Sequence, residues 1–210
     1  MRVLVLGATG ATGRHLVEQA LAQDHHVTAL ARSPSKLETH SPSLTVVQGD
    51  VTDRDAVERV VSSQDAVLCA LGSSTPLKRD PSLVQGIRNL VGAMEWLNVR
   101  RLVYLSFLGV RDGRGQLSLL GRYVVAPLLM RKVAADHEVK EAIIQRSALD
   151  WVIVRPPRLT NSRRTGAYRS GGDIEATLVI PRVSRADLAE FMLRQLNTDT
   201  HLRGTPAVMY

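Results

Sequence analysis

The segment Arg2–Leu21, RVLVLGATGATGRHLVEQAL, joins a short apolar run to a glycine-rich turn and then to an amphipathic pattern. The apolar run predicts a buried β-strand, and the spacing of Leu16 and Ala20 predicts a helix with one apolar face. Three glycines stand at three-residue intervals between the two elements: Gly7, Gly10 and Gly13. Glycine permits the positive φ of a tight turn and close approach of the backbone to a ligand. The stretch therefore predicts a strand–turn–helix unit that binds a phosphate group.

The rest of the chain repeats this alternation of apolar strands and helical patterns, which is typical of a parallel sheet built from βαβ units. Further strands are predicted at 25–32, 44–50, 65–72, 100–109 and 149–157. Further helices are predicted from about Asp53 and at 80–98, 131–147 and 184–196, with Asp80 and Ser184 as N-caps. Short strands are expected in 166–185. The expected fold is an α/β single-domain Rossmann-like, doubly wound parallel sheet that spans residues 1–210.

Charge and composition narrow the class of ligand. The 210 residues include 27 Lys and Arg against 20 Asp and Glu, a net charge of +7, but the basic residues are scattered along the chain. Aromatic residues make up only 4%, so no base-stacking platform is visible and we expect no nucleic-acid partner. The excess charge favours an anionic small molecule, with a solvated basic surface as the alternative.

The single cysteine, Cys69, cannot form an intramolecular disulfide, and its apolar surroundings predict a small buried side chain. A strand follows Met1 and Arg2 directly, so no signal or transit peptide is expected. The longest apolar-rich stretch, 116–130, is too short to cross a bilayer and contains Arg122 and Pro127. We expect a cytoplasmic protein with no membrane contact.

Candidate ligand-binding residues follow the predicted strands, whose carboxyl ends meet at one edge of a parallel sheet. The turn after the first strand is expected to bind a pyrophosphate through Gly7, Thr9, Gly10, Ala11, Thr12 and Gly13. After the second strand, an NAD site carries an acidic residue that binds the ribose hydroxyls. This chain has Arg32 there, with Ser33 and Lys36 close by. These side chains suit a 2′-phosphate and so predict NADPH, with a solvated basic loop as the alternative.

The remaining strands supply candidates for the other parts of a dinucleotide. After the third strand, Asp50 and Val51 are placed to bracket an adenine. After the fourth strand, Leu71, Gly72 and Ser73 would lie along the nicotinamide half. After the fifth, Ser106 would lie near the nicotinamide ring. No metal ion is expected.

Six stretches carry a resemblance to a known family: GATGATG (7–13), QGDV (48–51), QDAVLCALGS (64–73), DHEVKEAIIQRSALDWVIVRPPRL (136–159), TGAYR (165–169) and SRADLAEFMLRQL (184–196). Together they resemble the atypical NAD(P)H-binding branch of the short-chain dehydrogenase/reductase superfamily, and within it the biliverdin reductase B or NADPH-dependent flavin reductase type. The resemblance implies hydride transfer from NADPH to a planar conjugated acceptor, a flavin or a biliverdin-type tetrapyrrole. We expect a monomer or weak homodimer.

The resemblance assigns roles to residues near the acceptor. Ser106 and His137 would be the catalytic or ligand-positioning pair at the nicotinamide, although His137 could equally be a helix-surface residue. The substrate would contact Ser106, Phe107, Leu108, Arg158 and Leu159. None of the four tyrosines has a lysine four residues later, so the chain lacks the Tyr-x-x-x-Lys pair of ordinary short-chain dehydrogenases; the biliverdin or flavin reductase type lacks this pair as well. The chain departs from that type at Arg158, which replaces a histidine that follows the Pro-Pro pair.

Two further predictions concern residues around the expected ligand-binding site. A rim of basic side chains is expected to bind an anionic acceptor, with solvated arginines as the alternative: Lys78, Arg79, Arg155, Arg158, Arg163 and Arg164. Residues 111–130 are expected to cover the substrate, to pack in the core or to contact a second subunit. Because no side chain is evident as a catalytic acid, a non-enzymatic NADP(H) sensor is the second functional hypothesis.

Overall fold

The computed structural model describes residues 1–72, 80–110, 131–177 and 180–210. Its strands are β1 Arg2–Leu6, β2 His26–Ala31, β3 Leu44–Gln48, β4 Ala66–Cys69, β5 Arg101–Leu105, β6 Asp150–Val154, β7 Arg158–Thr160, β8 Arg169–Gly171, β9 Arg182–Ser184 and β10 Ala207–Met209. Its helices are α1 Ala11–Leu21, α2 Arg54–Val61, α3 Pro81–Trp96, α4 Arg131–Gln145 and α5 Arg185–Arg194, with a 3-10 turn at Pro34–Lys36. Ser73, Lys78, Arg79 and residues 111–130 lie outside the described residues.

Strands β1 to β6 form a parallel sheet in the order β3-β2-β1-β4-β5-β6. Strand β1 pairs with β2 on one side and with β4 on the other. The chain therefore winds outward from β1 in one direction and then in the other, and the order reverses between β1 and β4. The predicted doubly wound α/β fold is confirmed, and its switch point is where such sheets bind ligands.

Alternate residues of β1 supply the cores on both faces of the sheet, which explains its uninterrupted apolar run. Val3 and Val5 belong to the core on the side of α1 and α5. Leu4 and Leu6 belong to the core on the side of α2, α3 and α4. All four side chains are at most 1% exposed, so the turn after β1 starts from a rigid base.

Helix α2 begins next to Asp53 as predicted, and of the two predicted N-caps Ser184 makes a capping bond and Asp80 does not. Asp53 accepts hydrogen bonds from Asp55 N at 3.0 Å and Ala56 N at 3.2 Å, and Ser184 caps α5 by accepting from Asp187 N at 3.0 Å. Asp80 precedes α3 as predicted, but its side chain makes no capping bond and accepts instead from the Ser82 hydroxyl. The Asp80 amide donates to Asp136 Oδ2 at 2.7 Å, which ties the start of α3 to α4.

The short strands of the C-terminal part are joined to α5 through the buried Asp187. Its carboxylate accepts from Thr165 N at 2.7 Å, from Gly166 N at 2.8 Å and from Tyr210 Oη at 2.6 Å. Strand β7 pairs with β9, and β8 pairs with β10. This arrangement anchors the chain that follows β6 beside the carboxyl edge of the sheet. Among the described residues, the helices are too short or too polar to cross a membrane.

Candidate functional site

A cleft of about 580 Å³ opens at the carboxyl edge of the sheet, above the switch point. It is lined by thirteen residues predicted for the site: Gly7, Thr9, Gly10, Ala11, Thr12, Arg32, Asp50, Val51, Leu71, Gly72, Ser106, His137 and Leu159. Ten lining residues were not predicted as site residues: Leu6, Leu30, Ala31, Gly49, Ala70, Asp80, Ser82, Leu83, Leu105 and Arg185. Most of these ten residues end a strand or start a helix. They are distant in sequence and become neighbours because the order of the strands brings their ends to one edge of the sheet.

At Gly7 and Gly13 the backbone of the glycine turn lies too close to neighbouring backbone atoms to leave room for a Cβ. Gly7 has a φ of 81°, and a Cβ placed on it would lie 2.5 Å from Ala70 O. A Cβ on Gly13 would lie 2.0 Å from Gly7 O. Gly13 thus allows α1 to pack against the turn. It does not line the cleft. The Gly10 amide donates to Gly7 O at 2.9 Å and closes the turn.

At the N-terminus of α1, neither a capping side chain nor an acidic side chain competes with a ligand for the free backbone amides. The cap residue, Gly10, makes no side-chain capping bond, and no acidic residue lies in the first helical turn. The amides at this helix end and the positive end of the helix dipole are consequently suited to an anion. The turn and helix fit the pyrophosphate of a dinucleotide.

The loop after β2 places a cation at one end of the cleft. Arg32 Nε lies 4.0 Å from Asp50 Oδ2, and the Arg32 side chain is 76% exposed. Asp50 is held more firmly, because its Oδ1 accepts from Thr52 N at 2.9 Å and from Thr52 Oγ1 at 2.8 Å. The backbone bond from Thr52 is the main cause that lowers the pKa of Asp50. Ser33 and Lys36 flank Arg32 at the 3-10 turn but do not line the cleft.

Helix α3 holds the loop after β3 in position. Val51 packs so closely on Gly86 that a Cβ on this glycine would lie 2.4 Å from Val51 Cγ1. Asn89 Nδ2 donates to Val51 O at 3.1 Å and to Thr52 O at 2.9 Å. The apolar face that Val51 turns to the cleft is therefore fixed before any ligand binds.

Ser106 and His137 lie together at the other end of the cleft. Ser106 Oγ is 3.4 Å from His137 Nδ1, and the Ser106 amide donates to Val154 O at 2.8 Å. Phe107 packs edge-on against the His137 ring, with centroids 5.1 Å apart. Burial, followed by the nearby charge of Lys140, lowers the pKa of His137 to about 3. The imidazole is therefore neutral at physiological pH.

A buried ion pair beneath Ser106 was not predicted from the sequence. Ser106 Oγ donates to Glu141 Oε1 at 2.5 Å, and Arg155 Nη2 donates to Glu141 Oε2 at 2.7 Å. Arg155 and Glu141 are 2% and 0% exposed, so the prediction that Arg155 belongs to an anion-binding rim was wrong, and so was the alternative that it is solvated. The four-residue spacing of His137 and Glu141, which places both on one helical face, was the available signal.

Several predicted residues do not reach the cleft formed by the described residues. Phe107 lies beside His137 but does not line the cleft. Leu108 is 1% exposed and packs with Ala207 and Met209, because the chain turns into a third core cluster there. Three arginines expected at the rim are exposed and lie outside the lining: Arg158, Arg163 and Arg164.

The fold, the glycine turn and the uncapped helix define a dinucleotide-binding Rossmann protein. Comparison with known families agrees, because residues 7–199 match the family described as NAD(P)H-binding. The chain belongs to this NAD(P)H-binding family, and its expected cofactor class is thereby confirmed.

Relatives of the chain include a reductase and a protein described as an assembly factor. It is 30% identical over 176 residues to (4-alkanoyl-5-oxo-2,5-dihydrofuran-3-yl)methyl phosphate reductase of Streptomyces griseus, covering 83% of this chain and 54% of the relative. It is 32% identical over 220 residues to photosystem II assembly factor Ycf39 of Synechocystis, covering 100% of this chain and 62% of the relative. The chain thus spans less than two thirds of the length of either relative.

A solved structure shows the same fold. The short-chain dehydrogenase/reductase of Veillonella parvula in complex with NADP superposes with a TM-score of 0.79 at 18% sequence identity. The match covers 99% of this chain and 93% of the other chain. At this level of identity the likeness shows the fold alone.

Proposed function

We propose that the protein is an NADPH-dependent reductase that transfers a hydride to a planar conjugated acceptor, such as a flavin or a biliverdin-type tetrapyrrole. One observation carries the proposal. A single cleft joins the phosphate-binding turn and Arg32 at one end to the Ser106–His137 pair at the other. This is the layout that an extended dinucleotide needs to bring its reactive ring to a second ligand.

The preference for NADPH over NADH rests on the loop after β2. Arg32 is exposed and makes only a long ion pair with Asp50, so little interaction is lost when it binds another anion. Lys36 is exposed on the same loop and adds positive charge. A phosphate accepts charge-assisted hydrogen bonds from a guanidinium, which supports a cofactor that carries a 2′-phosphate.

Bound NADPH would supply the hydride, and the residues of the chain would bind and orient the reactants. Leu71, Gly72 and Ser106 line the end of the cleft where the nicotinamide would lie. Neither predicted catalytic residue is set up to release a proton to the acceptor. The Ser106 hydroxyl donates to Glu141, and His137 is neutral. The site therefore suits an acceptor that takes its proton from solvent, as a reduced flavin does.

Tyrosine does not supply the missing acid among the described residues. Tyr104 is fully buried on β5, and burial raises its pKa well above the usual value. Tyr168 and Tyr210 lie in the C-terminal part and do not line the cleft. The positions of these three described tyrosines disfavour their use in a tyrosine-dependent reduction of ketones, which agrees with the proposed acceptor class.

Basic side chains beside the acceptor end support an anionic substrate. Arg185 lines the cleft, and its Nη1 donates to Asn161 Oδ1 at 2.7 Å. Arg158, on the neighbouring β7, is exposed. The phosphate of FMN or the propionates of biliverdin would be attracted to this region.

The proposal is tested by steady-state oxidation of NADPH with FMN, riboflavin, biliverdin and simple quinones as acceptors. We expect turnover with at least one flavin or with biliverdin, and weaker turnover with NADH. The second candidate, a non-enzymatic NADP(H) sensor, is favoured by the lack of a proton donor at Ser106 and His137. Tight NADPH binding without turnover of any acceptor would support the sensor and contradict the reductase.

A further inference from the structure

Four side chains form a continuous chain from the interior to the cleft: Arg155, Glu141, Ser106 and His137. We propose that Glu141, held by Arg155, is a positioning residue that fixes the direction of the hydrogen bonds at Ser106 and thereby the tautomer of His137. In this tautomer Nδ1 carries the proton and Nε2 is a hydrogen-bond acceptor.

The first step is the ion pair, which makes both oxygens of Glu141 acceptors. Arg155 Nε donates to Glu141 Oε1 at 3.2 Å, and Nη2 donates to Oε2 at 2.7 Å. A guanidinium has donors and no acceptor, so the carboxyl group that faces it in this two-point contact is a carboxylate. The backbone also restrains Arg155, since its amide donates to Pro206 O at 2.9 Å. The carboxylate is thus a fixed, proton-free acceptor.

The second step concerns Ser106, whose hydroxyl has one hydrogen to donate. Glu141 Oε1 lies 2.5 Å from Ser106 Oγ and carries no hydrogen, so the serine must be the donor of this bond. The bond is short because the acceptor is charged. Only the lone pairs of Ser106 Oγ are then available to its other neighbour, His137.

The third step follows at the imidazole. His137 Nδ1 lies 3.4 Å from Ser106 Oγ, and that oxygen can only accept. A favourable contact therefore requires a hydrogen on Nδ1. In a neutral imidazole only one nitrogen is protonated, so Nε2 keeps its lone pair. The ring is further held by Phe107, which packs edge-on at 5.1 Å and 74°.

Other charged groups near His137 do not offer Nδ1 a better partner. Lys140, one turn further along α4, is 4% exposed, and its ammonium group cannot accept a hydrogen bond. Asp136 is engaged by the Asp80 amide at 2.7 Å. The described surroundings therefore leave Ser106 as the partner that decides the tautomer.

The consequence for ligand choice rests on the proposed function, whereas the tautomer itself does not. His137 lines the cleft, and an imidazole with a free Nε2 accepts a hydrogen bond from an N–H or O–H of a bound ligand. It cannot protonate that ligand through Nε2. The cleft is therefore expected to favour a bound group that presents a donor at this position.

The test is ¹⁵N NMR of protein labelled in its histidine rings, with the His137 signals assigned from a His137→Asn variant. In the wild type we expect the Nδ1–H form to account for nearly all of His137. In Glu141→Gln the side chain gains an N–H₂ donor, so Ser106 can reverse its hydrogen bond. The Nδ1–H form should then fall to half or less. Glu58→Gln, at a glutamate of α2, is the matched control and should leave the His137 spectrum unchanged.

If Glu141→Gln does not fold, Ser106→Ala tests whether the hydrogen bond at Ser106 sets the tautomer of His137. It removes the acceptor for Nδ1 and leaves the ion pair in place, so the Nε2–H form should rise to half or more. The proposal is overturned if wild-type His137 is mainly the Nε2–H form, or if the folded variants keep the wild-type tautomer. These spectra are recorded without ligand, so the tautomer result stands even if the protein does not turn over NADPH. A wrong tautomer assignment would likewise leave the proposed reductase activity untouched.

Discussion

Arg32 and Asp50 form a loose ion pair at the mouth of the cleft, with 4.0 Å between Nε and Oδ2. The two partners are held differently. Asp50 is anchored by Thr52, whereas the Arg32 guanidinium is on a side chain that is 76% exposed. The contact is too long and too exposed to add much stability. The contact matters because it leaves the Arg32 guanidinium weakly bound, next to the position expected for the ribose of a dinucleotide.

Replacement of Arg32 by alanine should weaken NADPH binding by about tenfold to a hundredfold, the usual worth of a hydrogen bond to a charged group. NADH lacks the 2′-phosphate, so its dissociation constant should change by less than about threefold on the same reasoning. Titration calorimetry with both cofactors measures the two effects. Arg54→Ala, which removes an exposed arginine of α2, is the control and should affect neither. Equal losses for NADPH and NADH would contradict the assignment of Arg32.

Alanine at Gly7 or Gly13 should lower the free energy of unfolding by about 1–3 kcal/mol or more, because the new Cβ has no room. The clashes would be with Ala70 O at 2.5 Å and with Gly7 O at 2.0 Å. A Cβ added to Gly92, in α3, would meet nothing within 4 Å, so Gly92→Ala should stabilise by about 0.5–1 kcal/mol. Urea denaturation with and without NADPH measures both effects. Wild-type stability in Gly13→Ala would refute the packing role of Gly13.

His137 should make the protein sensitive to mild acid. Its pKa is lowered from 6.5 to about 3 by burial. Between these values the unfolded chain binds a proton on this ring and the folded protein does not, so stability falls as the pH drops below 6.5. The loss can reach about 1.4 kcal/mol per pH unit.

His137→Gln should therefore show a smaller loss of stability between neutral pH and mild acid than the wild type. Part of the loss will remain, since burial also lowers the pKa of His25 and His201. His26→Gln, at an exposed position, should behave like the wild type. Urea denaturation at two pH values measures the difference, and an identical loss in His137→Gln and wild type would exclude the buried neutral ring.

Cys69 should be inert in the native protein. The side chain is 0% exposed at the end of β4, and burial raises the pKa of its thiol to about 11. A thiol-specific reagent needs both access and the thiolate, so native labelling should be slow and labelling in urea complete. Rapid labelling of the native protein would show that this strand end opens more readily than its packing suggests.

The sequence was most informative where structure depends on neighbours along the chain. The apolar run of β1, the glycine turn and the cap of Ser184 on α5 all depend on residues within one strand or one helical turn. The strand pattern then implied a shared carboxyl edge, which brought residues as distant as Gly7 and Ser106 to one cleft. Periodicity and turn chemistry are sufficient for features of this kind.

The sequence was uninformative where a residue's role depends on a partner in another element. Arg155 follows β6 next to other basic residues, and nothing local distinguishes it from an exposed arginine. Its burial requires Glu141 on α4, fourteen residues away in sequence. Leu108 presents a similar problem, because its packing against Ala207 and Met209 depends on how the C-terminal strands return to the sheet.

The central claim, reduction of a planar acceptor by bound NADPH, is tested most directly by one anaerobic measurement. Protein loaded with NADPH is mixed with FMN in a stopped-flow instrument, and the absorbance of oxidised flavin is followed. The account predicts bleaching of the flavin in step with oxidation of NADPH, much faster than without protein, and slower in Arg32→Ala at low NADPH. If NADPH binds and neither FMN nor riboflavin nor biliverdin, mixed in the same way, is reduced above the protein-free rate, the reductase assignment is wrong.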